Sequence, residues 1–141
     1  LFQAITSQIF YMGPPGAGSD TKLVVNLVIG LHRLVLGESL VLAESLGLDL
    51  SNILTVLKSG LSYSKVMDTK GEKMIQQDFT PHARLRQHAK DVQLLLTLSQ
   101  RHHVPLPLTK LHNSILQQGI QMDLGDLDNS AVIEILRRLS S

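Results

Sequence analysis

Cysteine and tryptophan are missing from this 141-residue sequence, and aromatic residues make up only 4% of it. Without cysteine there is no disulfide framework, no thiolate nucleophile and no cysteine-ligated metal, a composition that fits a cytoplasmic protein. Three Phe and two Tyr cannot fill the core of a chain this long, so the core is expected to be aliphatic. Net charge is also nearly missing: 13 Lys and Arg against 12 Asp and Glu leave a formal +1. No broad field for nucleic acid follows from that, and no nucleic-acid partner is expected. The six histidines form no H-x-x-x-H pair, so no metal site is expected either. Most are expected at the surface or at helix ends, as at His102 and His103.

Several motifs of catalysis are approached and missed. Gly16-Ala17-Gly18 precedes a helical pattern, but Thr21 stands where G-x-G-x-x-G needs its last glycine. Gly13 and Gly18 have Walker A spacing, but Ser19 occupies the lysine position. Gly60-Leu61-Ser62-Tyr63-Ser64 lacks the second glycine of a nucleophile elbow. No complete nucleotide fold or serine hydrolase is therefore expected within these residues.

What remains is ordinary for one folded domain: 43% apolar and 18% charged residues. Leu1-Phe2-Gln3-Ala4-Ile5 has no basic flank and does not read as a signal peptide. It starts inside an apolar pattern, as a cut through a longer chain would. Residues 1–9 read as the end of a helix and 9–12 as a short strand, followed by a Pro/Gly turn over 13–18. Ser19 or Asp20 is placed to cap the next helix. That helix runs from Asp20 to about Leu46, free of proline, with Gly47 as its stop. It would span roughly 40 Å. Its apolar residues fall on nearly every face, which predicts a central helix wrapped by others, a partner subunit's among them. Lys22, Asn26, His32, Arg33, Glu38 and Glu44 interrupt every long apolar run and argue against a membrane span. Shorter helices are expected at 53–58, within 64–76, at about 84–102, at 108–121 and at 131–139. No strand pair alternates convincingly, so the fold class is all-α, built around one long central helix.

Lys22 and Asn26 are one turn apart and share a face. Gly30, Arg33, Gly37 and Glu44 lie within about 80° of Lys22 on the same side, making a polar or small stripe on an aliphatic helix. Periodicity leaves two readings open. The stripe is a ligand site, or its start is solvated first turns and its glycines permit close packing.

Gly13-x-x-Gly16-Ala17-Gly18-x-x-x-Lys22-x-x-x-Asn26, with Glu38, Ala43-Glu44 and Gly47, Ser64, Phe79-x-Pro81, Lys90-Asp91, Pro105-x-Pro107 and Asp128 following in order, resembles the C-terminal domain of β-hydroxyacid dehydrogenases. That group includes 3-hydroxyisobutyrate dehydrogenase and is related to 6-phosphogluconate dehydrogenase. The resemblance implies an NAD(P)-dependent oxidoreductase acting on a small β-hydroxyacid or semialdehyde acid. It implies that residues 1–18 end a Rossmann domain and form the interdomain turn, and that 19–141 form an all-helical substrate and dimerisation domain. NAD or NADP would be bound mainly by the absent N-terminal domain, and the protein would be a homodimer or higher homo-oligomer. Lys22 matches the catalytic lysine, Asn26 and Gly18 substrate-binding positions, Asp91 an acid that orders the site, and Lys90 a lysine that reaches the cofactor. A lysine can move the substrate's proton once burial favours its neutral amine, and Lys22 is expected to be buried beside Leu23 and Val25. One departure stands out. Ala83, followed by Arg84 and Arg86, occupies a position that the family fills with Phe, which implies a larger, more anion-friendly or reshaped pocket. The competing class is a non-catalytic helical module whose long helix is a dimerisation or partner-binding surface.

Overall fold

The computed structural model describes Tyr11 and residues 13–139. Except for Tyr11, the N-terminal helix end and the strand expected at 9–12 lie outside the described residues. Among those described there are six α-helices and no strand. The long helix α1 spans Ala17–Ser45, followed by α2 (Leu50–Lys58), α3 (Val66–Gln76), α4 (Leu85–Arg101), α5 (Pro107–Gln121) and α6 (Val132–Leu139). A 3-10 turn at Asn129–Ala131 leads into α6.

Two ends of α1 are set by glycine. Gly16 is its N-cap at φ 94°, a conformation that side chains disfavour. The turn Gly13-Pro14-Pro15-Gly16 therefore feeds straight into the helix, with Ala17 N–H donating to Pro14 O at 3.0 Å. This corrects the expected start. Ser19 and Asp20 lie inside the first turn, and no side chain caps α1. Gly18, placed in the turn by sequence, is already helical. At the other end Gly47 N–H bonds to Glu44 O and Leu48 N–H to Ala43 O, closing the helix as expected. Asp49 caps α2 by accepting from Asn52 N–H at 3.0 Å, and Pro107 opens α5 where a missing N–H costs nothing.

α4 and α5 pack as a hairpin, while α1 packs against α6, α3 and α4. The core is aliphatic as expected: Leu36, Leu40, Met74, Leu85, Leu116, Ile133 and Ile135 are almost wholly buried. α1 is not wrapped on all sides by its own chain, contrary to the simplest form of the expectation. Its buried residues are Gly30, Arg33, Leu36, Gly37, Leu40 and Ala43, so its first three turns carry none. Val24, Val28, Val35 and Leu42 form an exposed stripe, 45–64% accessible, on the opposite face. α1 has the length and hydropathy of a membrane-crossing helix. Its inner face packs against protein and carries a buried arginine, which fits the spine of a folded core.

The segment 79–86 is stitched to 124–129. Leu85 N–H donates to Leu127 O, Arg86 N–H to Gly125 O, Asp128 N–H to Phe79 O and Asn129 N–H to Ala83 O, all within 2.8–2.9 Å. This stitching sets the loop before α4 against the middle of α1.

Candidate functional site

The knot under that loop is Asp128, whose side chain is fully buried. Its carboxylate accepts from Lys70 Nζ at 2.9 and 3.1 Å, from the backbone N–H of His82, Ala83 and Ser130 at 2.9, 3.2 and 3.0 Å, and from Ser130 Oγ at 2.6 Å. Burial opposes its charge, but the donors from Ser130, Lys70 and His82 prevail and hold the carboxyl well below the usual range. Sequence had marked Asp128 as the last residue of the pattern that carries the resemblance. It caps the 3-10 turn, and it also fixes His82 and Ala83 in place.

Above this knot lies a cleft of about 230 Å³. Asn26, Ile29 and Arg33 line it from α1, Ala83 and Arg84 from the loop, Gln87, His88 and Asp91 from α4, and Asn129 from the 3-10 turn. Pockets for drug-sized ligands run from about 300 to 1,000 Å³, so this one suits a small metabolite rather than a dinucleotide. Ala83 forms part of its wall, where the resemblance had implied a larger or more anion-friendly pocket.

The cleft floor is polar and incompletely bonded. Arg33 is only 7% exposed, and among the described residues its Nε and NH1 have no hydrogen-bond partner. His88 Nε2 and Asn129 Oδ1 are likewise buried without a partner. Burial lowers the Arg33 guanidinium to about 10, partly offset by the Asp128 charge, so it remains a cation at neutral pH. His88 and His112 lie against each other with ring centroids 5.1 Å apart and planes tilted by 50°. Burial first, then the Arg33 charge, pushes His88 down to about 3 and His112 down to about 4, so both are neutral at pH 7. His32, His82, His102 and His103 are exposed, as expected of most of the histidines; His88 and His112 are the two exceptions. The two rings fit only because residue 30 is glycine. A Cβ there would lie 2.7 Å from the His88 ring and 3.0 Å from His112.

The sequence-derived candidates are only partly brought together. Asn26 and Asp91 line the cleft. Lys22 lies one turn before Asn26 on the same side of α1 but is exposed, not buried beside Leu23 and Val25. Gly18 sits in the first turn of α1, with open space where a side chain would project. Lys90 does not reach the cleft. It lines a separate groove of about 160 Å³ with Arg86, Gln93 and Gln117, because adjacent helical residues point about 100° apart. His88 and Asn129 were missed. A lone histidine three residues before Asp91 carries no sequence signal of burial. Arg33, by contrast, was visible in the stripe as a polar residue seven positions past Asn26.

A family model described as NAD-binding of NADP-dependent 3-hydroxyisobutyrate dehydrogenase matches residues 16–136. Glyoxylate/succinic semialdehyde reductase 1 of Arabidopsis thaliana is 32% identical over 136 residues, which cover 96% of this chain and 47% of the reductase. Cytokine-like nuclear factor N-PAC of Aedes aegypti is 31% identical over 131 residues, 93% of this chain and 23% of that protein. The crystal structure of 3-hydroxyisobutyrate dehydrogenase from Salmonella typhimurium superposes with a TM-score of 0.88 at 26% identity, over 94% of this chain and 47% of the dehydrogenase. The chain thus spans about half the length of these two enzymes and less of the nuclear factor. The helical scaffold and the family match across residues 16–136 agree: this chain belongs to the NAD-binding family of NADP-dependent 3-hydroxyisobutyrate dehydrogenase.

Proposed function

We propose that the chain is the substrate-side, all-helical part of an NAD(P)-dependent oxidoreductase that interconverts a small β-hydroxyacid and its semialdehyde. The observation that carries this reading is Lys22 and Asn26 in successive turns of α1, leading into a small cleft with a cationic floor. A cleft this size suits a small substrate rather than a dinucleotide, so NAD or NADP would be held mainly by residues outside this chain. When bound, the nicotinamide supplies or accepts a hydride. The work of these residues is at the substrate's oxygen and acid groups. Lys22 moves the proton to or from the substrate oxygen and steadies charge on it. Lys22 is exposed here, so this role requires the cofactor domain to cover it. Asn26 hydrogen-bonds the substrate one turn deeper, and Asp91 orders the opposite wall from α4. Gly18 leaves room for the chain's approach to substrate at the first turn. Lys90, on its separate groove, meets the cofactor only if the other domain covers that face of α4 as well.

The exposed stripe Val24, Val28, Val35 and Leu42 supports a homodimer or higher homo-oligomer formed along α1. The lack of cysteine supports a cytoplasmic setting. The same stripe, together with a relative named as a nuclear factor, favours a second reading in which the helical domain serves only as a partner-binding module. Nicotinamide turnover separates the two. The full-length protein is expected to oxidise NADPH or NADH with small semialdehyde acids. No turnover with either cofactor, in either direction, leaves the binding module.

A further inference from the structure

Among the described residues that line the cleft, Arg33 is the buried charge without a hydrogen-bond partner at Nε and Nη1. Burying an unpaired charge is costly, and native proteins pair such groups. Nearby charge is otherwise accounted for. Asp128 is taken by Lys70 and four further bonds. His88 and His112 are held neutral by burial. Arg84, at the rim, lies 3.8 Å from Asp126 and donates to its backbone oxygen. Asp91 lines the cleft, but no bond joins it to the buried Arg33 nitrogens. The two unpartnered nitrogens, Nε and Nη1, each belong to an edge of the guanidinium that, together with Nη2, fits a carboxylate bidentately.

Its position along α1 sets the spacing. Arg33 is seven residues beyond Asn26, about 10 Å along the axis. Helical side chains lean back toward the N-terminus, which brings the guanidinium toward Asn26. The loop side offers Ala83 rather than a bulky side chain, and the cleft reaches from Asn26 to Arg33 without interruption.

We propose that Arg33 binds a substrate carboxylate remote from the reacting carbon, so that the enzyme selects acids whose aldehyde or alcohol is separated from the carboxylate by a short carbon spacer. This rests on the proposed oxidoreductase reading for the chemistry, but not for the binding. Losing one charge-assisted, bidentate contact corresponds to about 10- to 150-fold in affinity.

The test uses the full-length protein, with Arg33→Met as the main variant. Removing an unpaired buried charge is not expected to unfold the protein. The KM for 4-oxobutanoate should rise about 10- to 150-fold, while kcat/KM for butanal, which has the same chain but no carboxylate, stays within about twofold. Equal effects on both aldehydes, or on neither, overturn the subsite. A second measurement needs neither the variant nor turnover: titrating glutarate into wild-type protein should shift the Arg33 Nε–H resonance. If glutarate leaves that resonance in place, or inorganic phosphate moves it at lower concentration than glutarate, the carboxylate assignment fails. A glutarate-dependent shift in a protein that reduces no aldehyde upholds the subsite and overturns the oxidoreductase reading instead.

Discussion

Replacing Asp128 with Asn removes the negative charge at the centre of the knot beneath the cleft. Lys70 is only 8% exposed and loses its one ion-pair partner among the described residues. Breaking a buried pair by removing one member costs about 3–5 kcal/mol. The lysine's own chemistry sets a ceiling. It can shed its proton instead, which for an ordinary lysine of pKa about 10.4 costs about 4.6 kcal/mol at pH 7 and about 1.9 kcal/mol at pH 9. The destabilisation of Asp128→Asn should therefore be about 3–5 kcal/mol at pH 7 and shrink markedly by pH 9. The sign follows from linkage. Without its partner, burial lowers the lysine's folded pKa, the unfolded chain binds more protons, and stability rises with pH. Urea denaturation followed by far-UV circular dichroism at both pH values measures this. Hydrogen exchange localises it, since the amides of His82 and Ala83 donate to the lost carboxylate and should exchange faster. A loss below about 1 kcal/mol, or one that does not change between pH 7 and 9, would refute the account of Asp128 as a charged anchor.

Three further outcomes are expected. Gly30→Ala should cost about 1–2 kcal/mol net, as overpacking against the His88 and His112 rings exceeds the helix-propensity gain. Gly18→Ala, with open space around it, should be neutral or slightly stabilising; comparable urea midpoints for the two variants would contradict the packing described. Because burial depresses both His88 and His112, the stability they allow is complete above about pH 6.5 and falls as pH drops, by about 4 kcal/mol in total at pH 5. His88→Leu should remove about half of that acid sensitivity, and an unchanged slope of stability against pH between 5 and 7 would count against it. If the proposed oligomer forms along α1, Val35→Glu on its exposed stripe should leave folding intact and give a monomer by light scattering; an unaltered oligomer would place the interface elsewhere.

Helical periodicity was enough to place most of the fold, because α1, α4, α5 and α6 each bury an apolar stripe whose spacing survives in the sequence. The helix starts were less legible. Ser19 and Asp20 looked like caps, yet α1 begins three residues earlier than the expected Asp20 because backbone geometry at Gly16, not a side-chain acceptor, starts it. The cleft was half visible. Asn26 and Asp91 were found through motif and resemblance, and Ala83 through its departure from the family's Phe. Arg33 appeared in the stripe without a role, since periodicity cannot tell a buried cation from a solvated one. His88 and Asn129 reach the cleft through the pairing of segment 79–86 with 124–129, a long-range arrangement with no local signature. Lys90 and Asp91, adjacent in sequence, diverge for the simple reason that a helix turns between them.

Lys22 bears most directly on the central claim. If the full-length protein is the proposed oxidoreductase, Lys22→Ala should lower its kcat by about 10²- to 10⁴-fold, the range of a lost acid–base group, while the dissociation constant for the nicotinamide cofactor stays near that of the wild type. A kcat close to wild type would remove Lys22 from the chemistry, and with it the proposal that α1 supplies the catalytic half of the site.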